Sequence, residues 1–181
     1  MQYISHYYSP IGRILLAADD IGPTGLWFEG QKYFARGLDR EHEERETPLS
    51  EKAKQWLDIY FQGKEPQFEV PLHFMGTEFQ KEVWKILCDI PYGNTTTYRK
   101  IAEQIAENRG LAHMSAQAVG GAVGHNPISI IVPCHRVVGT NGSLTGYAGG
   151  LDKKAELLSL EKADVICPGR RMQVKVKGKG E

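Results

Sequence analysis

The period of the apolar positions changes near the middle of the chain. Up to about residue 72 the apolar runs are short: Tyr3 to Tyr8, Ile14 to Ala18 and Gly25 to Phe28. Turn chemistry at Ser9-Pro10, Asp19-Asp20 and Gly22-Pro23 separates them, which predicts three strands. Between Gly30 and Thr47 the charged run EHEERE is expected to be a solvated surface segment. Thr47-Pro48 reads as an N-cap followed by proline at the first helical position. Leu49, Ala53, Trp56, Leu57 and Tyr60 then recur at helical spacing, and Gly63 closes the helix. Phe68 to Leu72 predicts one more strand. The outcome is a small α+β unit in which nothing looks catalytic.

From Thr77 the pattern turns helical. Thr77-x-x-Gln80 is a capping box, and Phe79, Val83, Ile86, Leu87 and Ile90 form a stripe that stops at Pro91. Tyr92-Gly93-Asn94 makes a turn, Thr97 caps a second helix carrying Ile101, Ala102 and Ile105, and Ser115 caps a third, AQAVGGAVGHN. Three short helices with tight connections are compatible with a helix-turn-helix. The third holds Gly120, Gly121 and Gly124, each costing a helix about 1 kcal/mol relative to Ala. Either they allow close packing on a neighbouring element, or they let the helix backbone approach a flat partner such as a DNA groove. Ile128 to Val132 is β-prone and predicts a strand running into Pro133-Cys134-His135-Arg136-Val137. An Asn141-Gly142 turn, the segment GYAGG and a final helix from about Leu151 to Ala163 follow. The expected organisation is a domain over residues 1–75, a second over 76–166, and a basic, flexible tail over 167–181.

Composition narrows the class without naming it. Hydrophobic residues make up 41% and charged residues 24%, a globular balance that excludes wholesale disorder. Lys+Arg 22 cancel Asp+Glu 22, so the whole chain is not strongly basic. Residues 1–76 nevertheless hold 8 cations and 12 anions, and residues 77–181 hold 14 and 10, so a polyanion is expected to meet the second half. The first residues, MQYISHYYSP, do not resemble a signal peptide, and no apolar stretch is long enough to span a bilayer. A cytoplasmic protein with reduced thiols is the expectation.

Of Cys88, Cys134 and Cys167, the one beside a histidine invites chemistry. An ordinary thiol, with a pKa of about 8.5, is only a few per cent thiolate at neutral pH, so a nucleophile needs a base or local positive charge. On a strand, however, Cys134 and His135 would point to opposite faces, and a buried Cys without function is common. Cys88 lies on an amphipathic helix and Cys167 in the tail, where a passive role is the simpler reading. The six histidines are scattered, so a metal site would have to be assembled by the fold alone.

The run GHNPISIIVPCHRVVGTNGSLTGYAGGLDKKAELLSLE, Gly124 to Glu161, resembles the active-site segment of the O6-alkylguanine-DNA alkyltransferases. The pentapeptide P-C-H-R-V, preceded by Asn-Pro and followed by G-Y-x-G-G and a helix ending in Glu, is highly specific in combination. Weaker likeness reaches back through GTEFQKEVWKILCDIPYGNTTTY, YFQGK and SPIGRILLA. The resemblance implies an N-terminal α+β domain of ribonuclease-H-like topology, then a helical domain with a winged-helix-like helix-turn-helix. It implies a protein that flips an alkylated guanine out of duplex DNA and transfers the alkyl group irreversibly to its own cysteine. It also implies no cofactor; from the residues themselves no metal site is expected, the protein is expected to be a monomer, and whether O4-alkylthymine is a second substrate stays open.

Carried over by residue, Cys134 would accept the alkyl group. His135 would act on it through a water, polarised by Glu161. Asn126 would organise the turn between the recognition helix and the active-site strand, and Tyr98 would offset charge as guanine leaves. Tyr147 would line the pocket, Lys154 would orient Tyr147, and the backbone of Val137 and Ala148 would read the base edge. Ser115, Gln117, Ala118 and Gly121 would face DNA, while Arg136 would be structural or help the domains pack. Gln117 stands where relatives commonly have an arginine finger, ENRGLAHMS is longer than the usual connection, and no cysteine precedes Cys88, which argues against the N-terminal zinc site of some relatives.

Three other readings compete. Lesion-binding proteins of this fold lack the cysteine that Cys134 supplies. A cysteine hydrolase would need a different constellation. A transcription regulator using the helix-turn-helix alone would need an upstream domain for which this length leaves no room.

Overall fold

In the computed structural model, the described residues are 1–163 together with Val165–Ile166 and Gln173–Val174. The chain forms two compact units, Met1–Gly76 with Pro127–Ile130, and Thr77–Asn126 with the chain from Ile131 onward.

The first unit is a four-stranded sheet with a helix. Strands β1 (Gln2–Ser9), β2 (Gly12–Ala18), β3 (Pro23–Phe28) and β4 (His42–Glu44) lie in the order β3-β2-β1-β4. β1, β2 and β3 pair antiparallel, and β4 runs parallel to β1. Register is set by the Ser9↔Gly12 closure, where Ser9 Oγ donates to the Gly12 carbonyl at 2.6 Å. β2 and β3 read as continuous apolar runs because both faces are covered. Helix α1 (Pro48–Phe61) packs on one face, burying Ala53, Leu57 and Tyr60. Leu15, Ala17 and Trp27 are covered on the other by Ile4, Ala35 and Leu38. Full burial of a side chain such as Leu57 contributes about 2 kcal/mol. α1 begins as its sequence predicts, with Thr47 accepting from the Ser50 N–H, proline in the first turn, and Gly63 at φ +79 beyond the last turn.

The charged run is solvated as expected, with residues 41–46 all exposed, and His42–Glu44 in addition pairs with Gln2–Ile4 as β4; its exposed charges discourage a further strand from adding at that edge. One expectation here is corrected. Phe68 to Leu72 forms no strand. Pro71 has no N–H to give a ladder, and its carbonyl sits so close to Gly22 that a Cβ there would lie 2.0 Å away.

The second unit packs helices α2 (Glu78–Cys88), α3 (Tyr98–Asn108) and α4 (Ala116–Gly124) against one another, followed by α5 (Leu151–Leu160). Short strands β5 (Thr96–Thr97) and β6 (Val137–Val138) pair parallel, and β7 (Val165–Ile166) pairs antiparallel with β8 (Gln173–Val174). The N-caps fall at Thr77, Thr97 and Ser115, each accepting a backbone N–H of its own first turn, and Thr77 and Gln80 complete the capping box. Trp84 of α2 donates through Nε1 to the Ala122 carbonyl of α4 at 2.8 Å, so the small residues of α4 admit a large neighbour. Val83, Leu87, Ile101, Ile105, Val119 and Val123 complete that core. Val138, Leu144, Ala155, Leu158 and Ala163 make a second cluster under α5.

Two further expectations are corrected. Ile128 to Val132 is not a strand: its ordered pairing is a single bridge, Leu26↔Ile128, and Ile130 adopts φ +70. A buried β-branched residue in that region interrupts any extended run. α5 stops at Leu160 rather than Ala163, because Lys162 takes φ +59. The expected basic tail over residues 167–181, with Cys167, lies outside the described residues apart from Gln173–Val174.

Candidate active site

The site is built on a tight backbone turn, not on a strand. Pro133 has φ −81 and ψ 62, the inverse γ conformation, and the Cys134 N–H donates to the Val132 carbonyl at 2.8 Å. Cys134–Arg136 then forms one 3-10 turn, closed by Arg136 N–H on the Pro133 carbonyl at 3.0 Å. At three residues per turn, adjacent side chains project about 120° apart. Cys134 and His135 therefore share a turn without facing opposite sides of a sheet. Asn126 accordingly organises the way from α4 into a turn, not into an active-site strand.

Cys134 is buried, 6% exposed. Burial pushes its thiol up, while the Asn126 side chain, the Lys154 charge and the N–H groups of Cys134 and His135 favour the thiolate. Asn126 also donates through Nδ2 to the Val132 carbonyl at 3.0 Å. Burial thus disfavours the charged sulfur, while the surrounding donors are placed to receive negative charge.

His135 is fully buried, with Nε2 on Glu161 Oε2. Burial pushes the imidazole below its ordinary value, against the pull of the Glu161 carboxylate, and Arg136 and Lys154 add to the depression. A neutral ring bound through Nε2 carries its acceptor at Nδ1. Burial works against the charge on Glu161, but His135 and Arg136 together hold its carboxyl well below the usual carboxylate range. Glu161 Oε1 accepts from Arg136 Nε at 2.7 Å and from the Gly93 N–H at 3.2 Å.

Lys154 has no exposed surface, and its Nζ donates to the carbonyls of Val137, Thr145 and Gly146 at 2.6, 3.0 and 3.1 Å. Burial brings it down to about 8, opposed by Cys134. These bonds hold the loop carrying Tyr147 and Ala148 by its backbone. Tyr98, at the start of α3, donates its hydroxyl to the Thr145 carbonyl at 2.9 Å, and burial raises it. Gly146 sits at φ +57 with its Cβ position 3.9 Å from that hydroxyl.

The structure thus brings together Asn126, Cys134, His135, Lys154 and Glu161, with Tyr98, Val137, Tyr147 and Ala148 tied to the same loop. Ser115, Gln117, Ala118 and Gly121 share the exposed face of α4, away from its buried residues Val119, Ala122 and Val123. Gly120 lies 3.7 Å, measured from its Cβ position, from the Tyr98 ring, whereas Gly121 and Gly124 face open space. The close-packing reading of the glycines therefore applies at Gly120. Sequence reasoning missed Gly93 and Ile90, whose backbone groups hold Glu161 and Arg136; the Pro91–Asn94 turn was their only signal.

A helical unit that buries one thiol among donors, beside a His–Glu pair, has the constellation that nucleophilic cysteine chemistry requires. Residues 78–163 match the family described as 6-O-methylguanine DNA methyltransferase, DNA binding domain, and residues 2–74 match its ribonuclease-like domain. The chain belongs to the 6-O-methylguanine DNA methyltransferase family. It is 48% identical over 155 residues to a methylated-DNA–protein-cysteine methyltransferase of Methanosarcina barkeri, covering 85% of this chain and 93% of that protein. The corresponding protein of Mycolicibacterium paratuberculosis is 45% identical over 160 residues, covering 85% and 88%. Among solved structures, Mycobacterium tuberculosis OGT in complex with DNA is 44% identical, with a TM-score of 0.76 over 88% of this chain and 92% of that one.

Proposed function

We propose that this protein repairs DNA by direct reversal, taking the alkyl group of O6-alkylguanine onto Cys134. The observation that carries it is the buried Cys134 sulfur held by Asn126 and backbone N–H groups beside the His135–Glu161 pair. The Cys134 proton passes to Nδ1 of His135 through a water, and the imidazolium is stabilised by Glu161. The thiolate attacks the alkyl carbon: the S–C bond forms, the C–O6 bond breaks, and its electron pair stays on guanine. Tyr98, a neutral phenol, protonates the departing guanine and recovers its proton from the imidazolium. The products are S-alkylcysteine and guanine. Nothing regenerates the thiol, so each molecule acts once, and the balance needs no cofactor.

The partner is double-stranded DNA. The face of Ser115, Gln117, Ala118 and Gly121 enters the minor groove, and Gln117 fills the space of the flipped nucleotide. Extrusion costs a few kcal/mol, least for a weakly paired base, which favours the lesion. Tyr147 and the backbone of Val137 and Ala148 hold the base. The protein acts as a monomer in the reducing cytoplasm, where a free thiol persists. Among the described residues no helix is long and apolar enough to cross a membrane.

The test is Cys134→Ser, assayed on duplexes carrying O6-methylguanine or O4-methylthymine. Loss of methyl transfer with lesion binding retained supports the reading. Transfer that survives the substitution would place the acceptor elsewhere.

A further inference from the structure

Arg136 is buried beside the relay and holds two elements at once. Its Nε donates to Glu161 Oε1 at 2.7 Å, its Nη1 donates to the Ile90 carbonyl at 2.7 Å, and its guanidinium lies 5.7 Å from the centre of the Tyr92 ring. One carboxylate oxygen is thereby committed to Arg136 and the Gly93 N–H, and the other is left to His135. We propose that Arg136 is a positioning residue for alkyl transfer. Anchored on Ile90, it turns Glu161 so that Oε2 meets Nε2 of His135, and it balances the carboxylate charge so that the ring stays neutral and able to take the Cys134 proton. This rests on the reading of Cys134 as acceptor.

The charge arithmetic distinguishes this from packing alone. Among the described residues, the charged groups acting on His135 are Lys154 of α5, Glu161 at its C-cap and Arg136 on its own turn, which also carries the Cys134 thiol. Glu161 alone would draw a proton onto the ring, and an imidazolium cannot accept another. Arg136 opposes that pull, in the same direction as burial and Lys154. A planar fork is required as well as a charge, because one end grips Glu161 while the other grips a carbonyl of the α2–α3 connection.

The test uses Arg136→Met and Arg136→Lys in the full chain. Iodoacetamide capture of Cys134 is followed by peptide mass from about pH 5 to about pH 9, beside methyl transfer from duplex DNA. In Arg136→Met, capture at neutral pH is expected to fall about tenfold, with the acid limb about one pH unit higher. Arg136→Lys keeps the limb in place, because the charge remains, and lowers the plateau, because one nitrogen cannot serve both partners. A folded Arg136→Met whose profile superposes on the wild type, or loses only thermal stability, overturns the proposal. Should the Met variant not fold, Arg136→Lys decides, since a plateau and limb equal to wild type also overturn it. Iodoacetamide reads the relay without DNA, so a wild type that takes no methyl from DNA would count against the repair reading and leave this result standing.

Discussion

Asn126 donates through Nδ2 to the carbonyl of Val132, 3.0 Å away and two residues ahead of the sulfur that the same side chain hydrogen-bonds. One amide therefore closes the turn and favours the thiolate. It also sits two residues beyond Gly124, the last residue of α4, so the helix carrying Gln117 and the turn carrying Cys134 meet at a single buried side chain.

Replacing Asn126 by Ala leaves the Val132 carbonyl without this donor and removes a donor from Cys134. The variant should lose about 1–3 kcal/mol in urea unfolding. Its thiol should titrate higher still, so iodoacetamide capture of Cys134 should slow at neutral pH. A variant with unchanged capture would mean that the backbone N–H groups suffice.

Lys154 titrates near 8 in the folded chain, below its ordinary value. Its ammonium is therefore a burden on the folded state, present in full below about pH 8 and relieved as pH rises toward the ordinary lysine value. Measured against Lys154→Met, the wild type should gain stability across that interval, by an amount on the order of 3 kcal/mol. Unfolding curves at several pH values check the slope. The Met variant should also loosen the Thr145–Gly150 loop, weakening methyl transfer.

Glu161 runs the other way. Its carboxyl is held well below the usual range, so its stabilising pairs are intact above the ordinary carboxylate value and are lost as pH falls below it. Glu161→Gln should flatten the acid limb of the stability curve. It should also slow methyl transfer by about 10- to 100-fold, since the imidazolium loses its counter-charge. Acid unfolding followed beside single-turnover kinetics separates the effects.

Gln117 is exposed on α4 and makes no bond that the Cys134 turn depends on. Gln117→Ala should slow repair of duplex DNA while transfer from a single-stranded lesion stays near wild type. Gln117→Arg should tighten duplex binding and steepen its salt dependence by about one counterion. Equal losses on both substrates would remove Gln117 from the flipping step.

What was legible in the sequence was local. Thr47, Thr77, Thr97 and Ser115 announce their helices because a cap is a contact within a few residues, and all four act as N-caps. The family was legible from the residues around Cys134. What stayed hidden depends on partners far along the chain. β4 exists because β1 offers an edge, not because His42-Glu43-Glu44 favours a strand. Ile128 to Val132 has every local mark of a strand, yet Leu26 takes only one bridge from it and Ile130 turns away. The dipeptide Cys134-His135 drew attention first, but its geometry comes from Pro133, and the charge on Glu161 is held by His135 and Arg136 together, the second of which sequence alone left as structural or as domain packing.

The most direct measurement is the intact mass of the protein after incubation with a duplex carrying a single O6-methylguanine. The account predicts one added methyl per molecule, on the Cys134 peptide, absent with undamaged DNA, and no further gain with excess substrate. An unchanged mass under conditions where the lesion is bound, or a methyl on the exposed Cys88, would contradict it.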